Sequence, residues 1–212
     1  MRYETLSSIS FIRIGRPARG LFFSSALTFG LVCCLLFVPP PFNAQGEPEI
    51  RYRTEANYLA HFASFVDWPA SVFADAHAPL QLCMFGNVDF GNSIMPLTSG
   101  LKPHGRHIEV RSLKKADQYK SCHILFIGRE DSANYKAIFS PVQDLPVLTV
   151  GETVDFPDAG GIVNFVFGET LQIDVNAGAA HRAHLKIHSA LQSMARRVTN
   201  MPTTIGANQP KH

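Results

Sequence analysis

The residues of this chain that could do chemistry are two cysteines, a run of histidines and a few cations. Cys83 and Cys122 are the only cysteines outside the N-terminal apolar segment. In an oxidising compartment such a pair predicts a disulfide, and otherwise the two read as small buried core residues. His181, His184 and His188 recur at i, i+3 and i+7, a spacing that gathers three imidazoles on one side of a helix. Three imidazoles could hold Zn²⁺ or Cu²⁺, or sense pH. No obvious carboxylate completes the set, and His184 also falls on an apolar stripe, so no metal is assigned. Arg182, Lys186 and His188 could offer charge to an acidic ligand or partner, against the alternative of a solvated face. Gly86-Asn87-Val88-Asp89-Phe90-Gly91 joins a strand-like run to a helix-like one, where free N–H groups could meet an anion. It lacks the Lys and Ser/Thr of a P-loop and reads as an ordinary turn. Asp67-Trp68-Pro69 carries the single tryptophan, read as a helix stop whose indole seals the core rather than as a binding platform.

The sequence contains no G-x-S-x-G, H-E-x-x-H, C-x-x-C or Walker lysine. With no nucleophile–base pair and no metal set, the expectation is a protein that is not an enzyme and needs no cofactor.

Compartment narrows the choice further. Arg13, Arg16 and Arg19 precede an uncharged, largely apolar stretch from Leu21 to Val38, followed by three prolines and Ala44. That order describes a secretory signal peptide over 1–44. The rest of the chain is then expected in the periplasm, without direct membrane insertion. An uncleaved anchor is the alternative, because about eighteen apolar residues almost span a bilayer. The net charge of +2 comes from the leader, with its four Arg and one Glu. The remainder is slightly acidic and has no basic footprint for nucleic acid.

The elements that must position these residues follow from periodicity. Residues 45–53 read as a lead-in, 54–198 as one domain and 199–212 as a flexible tail. Thr54 can cap a helix to about Val66, stopped by Pro69. Strands are expected at Leu80–Phe85, His107–Leu113, Cys122–Ile127 and Pro146–Val150. Gly161–Phe167 and Leu171–Val175 read as a hairpin around Gly168-Glu169-Thr170. Helices are expected at Asp89–Met95, stopped by Pro96, at Glu130–Phe139, and at about Ala177–Val198. The last carries a stripe of Ala180, His184, Ile187, Leu191, Met194 and Val198. Strands alternating with helices predict an α/β fold: a single sandwich with a mixed sheet of about six strands flanked by helices.

In order and spacing, several blocks resemble the YfiR/HmsC family. They are Asn57 to Pro69, Leu80 to Gly86 with Phe90-Gly91, Cys122 to Ile127, Pro146 to Val150, Gly160 to Phe165, and Ile173 to Asn176 leading to Leu185-Lys186-Ile187. The resemblance implies a periplasmic α/β protein without catalytic activity, resembling one lobe of a periplasmic binding protein. It implies a repressor that binds the periplasmic sensor domain of a membrane diguanylate cyclase, lowering cyclic-di-GMP and biofilm formation, and that can form a homodimer. Cys83 and Cys122 fall where the family places a disulfide pair. This chain departs from the family at His184, where many relatives have a small residue, and at His188, where they have Ser. A periplasmic small-ligand-binding protein, using the Gly86–Gly91 turn or the last helix, is the other function the residues allow.

Overall fold

The computed structural model describes residues 46–86 and 91–200. The expected signal peptide, the middle of the Gly86–Gly91 turn and residues 201–212 of the expected tail lie outside them. Among the described residues no helix is long and apolar enough to cross a membrane.

Helix α1 spans Gly46–Phe62. It therefore takes in most of the segment expected as a lead-in, and Thr54 lies inside it rather than capping it. Pro48 falls in the first turn, where a missing N–H leaves no bond unmade. Arg51 then ties the early turns down. It donates to Glu55 one turn on at 3.2 Å, pairs with Glu152, and lies 3.7 Å above the Phe167 ring. The helix ends at Phe62, short of the expected Val66, because Val66–Asp67 turns into the short strand β1. Trp68 packs against the core edge with its indole N–H on the His123 carbonyl, as a sealing residue should.

The central strands come where continuous apolar runs put them. They are β2 Leu80–Phe85, β3 Ile108–Leu113, β4 Ile124–Ile127, β5 Leu148–Gly151, β6 Val163–Phe167 and β7 Leu171–Asn176. Helix α2, Gly91–Thr98, keeps Pro96 inside it instead of stopping there. The Thr98 hydroxyl closes its end by bonding the Ile94 and Met95 carbonyls. The helix expected over Glu130–Phe139 is a 3-10 stretch, Arg129–Asn134, leading into a short helix α3, Tyr135–Phe139.

The largest difference lies at the C-terminus. In place of one helix over Ala177–Val198 the chain forms α4 Ala177–Arg182, β8 Lys186–Ile187, α5 Ser189–Met194 and β9 Arg197–Thr199. Asn176 caps α4 through its side-chain oxygen, and His184 takes a left-handed φ of 55° that ends it. The backbone freed there is not wasted: β8 pairs antiparallel with β1, Val66 opposite Ile187. Ala180, Ile187 and Leu191 are buried all the same. An apolar stripe thus fits helix–strand–helix as well as one long helix.

The main sheet has the order β3-β2-β4-β5-β6-β7-β9. The first five strands are parallel, β7 is antiparallel to β6 through the expected hairpin, and β9 adds a seventh strand parallel to β7. This is the mixed α/β sheet flanked by helices that the sequence predicts, one strand larger. Alternate residues serve two cores. Leu82, Ile124, Phe126, Val150 and Phe165 pack under α1, while Cys83, Leu125, Ile127 and Phe156 pack with α3 on the opposite face.

Phe156 is fully buried between Gly151 and Gly161, and a Cβ on either glycine would overlap its ring. Gly161→Ala should therefore cost roughly 1–3 kcal/mol, the range for an overpacked core. A urea titration checks this, and an unchanged midpoint would mean that the ring has room to move.

Candidate functional site

Cys83 lies on β2 and Cys122 closes a 3-10 turn just before β4, its paired neighbour. The two sulfurs are bonded, with Cα atoms 5.8 Å apart. Both residues are buried in the α3-side core. No thiol is presented for exchange, so the bridge is a clamp rather than a redox centre.

The cationic residues picked out by spacing divide into two places. Arg182, at the end of α4, and Lys186, on β8, line an open hollow with His181, His184 and Leu185. Arg182 and Lys186 are exposed there. His188 lies elsewhere, at the start of α5. Its Nε2 is 3.0 Å from Asp67 Oδ1 on β1, and its ring meets the edge of His104 at 6.5 Å. His104 Nε2 in turn reaches the Ala63 and Val66 carbonyls just beyond α1, at 3.2 and 3.0 Å. The break at His184 parts His188 from His181 and His184, which share the hollow, where a continuous helix would have gathered all three. Among the described residues no group of three or more His, Cys, Asp or Glu is placed to hold a metal ion.

A second cluster escaped the reading of motifs. Glu152 follows Gly151 at the end of β5, and Arg129 follows Gly128 at the end of β4. The carboxyl ends of parallel strands are where open α/β sheets bind ligands. Glu152 accepts the Arg129 backbone N–H at 3.0 Å and pairs with the Arg51 and Arg129 guanidinium groups. Asp174, in the middle of β7, is buried. It receives a two-pronged contact from Arg196 at 3.0 and 2.7 Å and another from Arg197 at 3.1 Å. Asn164 stands opposite Asp174 in the β6–β7 register and is also buried, with its Oδ1 unpartnered. Between these groups lies a cleft of about 300 Å³ with Phe165 and Phe167 among its lining.

Glu55 on α1 belongs to the same network. Its side chain is fully buried, and one oxygen lacks a partner. Burial pushes its carboxyl up from 4.5 to about 7, the negative Glu152 adds to the rise, and Arg51 opposes it. The available sequence signal was a charge inside an apolar strand, Asp174 within Ile173-Asp174-Val175, and two Gly-charge pairs directly after buried strands. A burial argument could have used both, since buried charges require partners.

The sequence model of a family described as YfiR/HmsC-like matches residues 52–196. Among solved structures, a conserved domain protein from Vibrio cholerae aligns at 9% identity and a TM-score of 0.47, over 70% of this chain and 60% of that one. An ABC domain from Streptococcus pneumonia, solved in complex with L-Trp, aligns at 8% identity and a TM-score of 0.47, over 68% of this chain and 60% of the other. This chain thus spans about three-fifths of the length of each.

Proposed function

Because this chain belongs to the YfiR/HmsC-like family, whose members are regulators rather than enzymes, we propose that it is a periplasmic repressor of a membrane diguanylate cyclase, acting by contact with the cyclase's periplasmic sensor domain. The observation that carries this reading is the span of the match, residues 52–196, which takes in almost every element of the sheet. A contact inhibitor needs a surface and no reactive residue. The contact surface in this reading is the corner of Arg182 and Lys186, offering positive charge to an acidic patch on the partner; His188, turned to Asp67, lies outside it.

Repression then follows from differential affinity. The inhibitor must bind the off state of the sensor domain more tightly than the on state. Moving a partner from mostly on to mostly off takes roughly 5 kcal/mol of difference. A standard interface with a few anchors supplies that.

Deleting the gene should raise cellular cyclic-di-GMP, and the wild-type gene on a plasmid should restore the low level. The double variant Arg182→Glu, Lys186→Glu should weaken partner binding by about tenfold or more, because like charges would then face each other. Both substituted positions are exposed, so folding should be unaffected. Cyclic-di-GMP that stays flat on deletion, in cells that express the protein, would dismiss the cyclase as target. Full repression by the double variant would move the contact surface elsewhere.

A further inference from the structure

His123 fills a gap at the start of the sheet. Strand β4 begins only at Ile124, and the chain before Cys122 turns away as the 3-10 stretch Ala116–Ser121. The His123 backbone N–H donates to the Gln81 carbonyl of β2 at 2.9 Å. The Gln81 N–H returns to a ring nitrogen, His123 Nδ1 at 2.9 Å, in place of a strand carbonyl. Nδ1 therefore carries a lone pair and Nε2 carries the proton, which bonds the Val72 backbone. Both ring nitrogens are thus matched to backbone groups, and only in the neutral form.

The same ring anchors the segment 69–79, which joins β1 to β2 as a strap. Phe73 stacks on the imidazole, with centroids 4.5 Å apart and 10° between the planes. Arg106 covers the Phe73 ring at 3.7 Å, and its Nη1 bonds the Asp75 and Ala78 carbonyls. Trp68, just before the strap, sets its indole N–H on the His123 carbonyl. No residue of 69–79 is itself buried, so these few contacts hold the strap down.

We propose that His123 is a proton-operated latch: a second proton on its ring releases the strap 69–79 from the sheet. A protonated Nδ1 turns from acceptor to donor, so it meets the Gln81 N–H head-on and leaves it unpaired. The residue is 8% exposed, so water cannot solvate the new charge while the strap is closed. Phe73 gives little relief, because Arg106 already occupies its other face. The surrounding charges are committed elsewhere. Glu109 turns to Gln81 and His107, Asp75 to the His77 N–H, Asp67 to His188, and Lys120 lines the adjoining hollow. Burial first, then the Arg106 charge, hold the ring below its ordinary 6.5 in the closed form, and an open strap returns it to water. The open form therefore binds the proton more tightly, and opening gains as pH falls below about 6.5. The inference is independent of the cyclase reading.

The test is hydrogen exchange of the purified protein, read by mass spectrometry in steps from about pH 8 to about pH 4.5. A short unstructured peptide in the same tube reports the chemical slowing of exchange, and each protein peptide is scaled by it. Scaled exchange over 68–81 should rise roughly three- to tenfold between about pH 8 and pH 5.5, while peptides over β6 and β7 should not follow. The rise should begin just below about pH 6.5. Glutamine can accept from the Gln81 N–H and donate to Val72 without ionising, so His123→Gln should stay flat over the same range. Flat exchange of the wild-type strap would overturn the proposal. So would a rise that starts only below about pH 5, where carboxylates titrate, a reading the wild type gives even if the variant fails to fold. An equal rise in a folded His123→Gln would overturn it too, by assigning the response to His77 or His107.

Discussion

Replacing both Cys83 and Cys122 with alanine should lower the unfolding free energy by about 2–4 kcal/mol, toward the upper end of that range. The two residues are 39 apart in sequence. A closed loop of that length removes many conformations from the unfolded chain, and the gain grows with the logarithm of loop length. The native positions also favour the bond. Cys83 sits on β2, Cys122 immediately precedes its neighbour β4, and both are buried beside Leu125 and Tyr119. Alanine loses little packing there, so the variant mainly reports the cross-link. For a domain of this size the loss corresponds to a fall in melting temperature of roughly 5–15 °C. Urea titrations of the oxidised wild type, the reduced wild type and the double variant decide the matter. A double variant as stable as the oxidised protein would show that the bond contributes nothing.

Glu55→Gln should change how stability depends on pH, by on the order of 3 kcal/mol between mildly acidic and mildly alkaline solution. In the folded protein the Glu55 proton leaves near 7, whereas the reference value is 4.5. Between those values the folded protein keeps a proton that the unfolded chain has released, so each step up in pH favours unfolding. The contribution of Glu55 is fully present below about 4.5 and is lost as pH rises through about 7. Burial is the main cause and repulsion from Glu152 the second. Glutamine keeps the shape and cannot ionise. The variant should therefore match the wild type near pH 4 and exceed it near pH 8. Subtracting the two pH profiles cancels other titrating groups, among them His123, whose ring burial holds below its ordinary value. Parallel profiles would mean that Glu55 is already ionised throughout, its charge carried by Arg51.

The parts of this fold that were legible in the sequence share a physical trait: they satisfy themselves locally. Leu80 to Phe85 is a continuous apolar run ended by Gly86, and it forms a strand over those same residues. Gly168-Glu169-Thr170 lies between Phe167 and Leu171, which pair directly. The C-terminal segment was not legible, because its conformation depends on a distant partner. Ala180, Ile187 and Leu191 recur at helical spacing, but the strand at Lys186–Ile187 exists because Val66 and Asp67 offer it backbone groups. The histidines drew attention for the same reason, through a helical period that the chain does not keep past His184. The network of ion pairs around Glu152 and Asp174 was hidden from motif reading because its members come from five separate elements or their ends. Glu55 and Arg51 on α1, Arg129 after β4, Glu152 after β5, Asp174 on β7 and Arg196 before β9 meet only in the folded sheet.

The pairing of β1 with β8 also governs the order in which this molecule can assemble. Val66 near one end of the domain finds Ile187 near the other, and β9 joins the sheet later still. These are contacts of long sequence separation, which close late and slow the search for the native state. As the chain emerges N-terminus first, α1 and the early strands are made well before the segment that completes their cover. The incomplete form leaves part of the α1-side core uncovered and the outer edge of β7 unpaired, the sort of surface that aggregates or recruits a chaperone. For the same reason, trimming the chain before Lys186 would remove part of the core rather than a dispensable end.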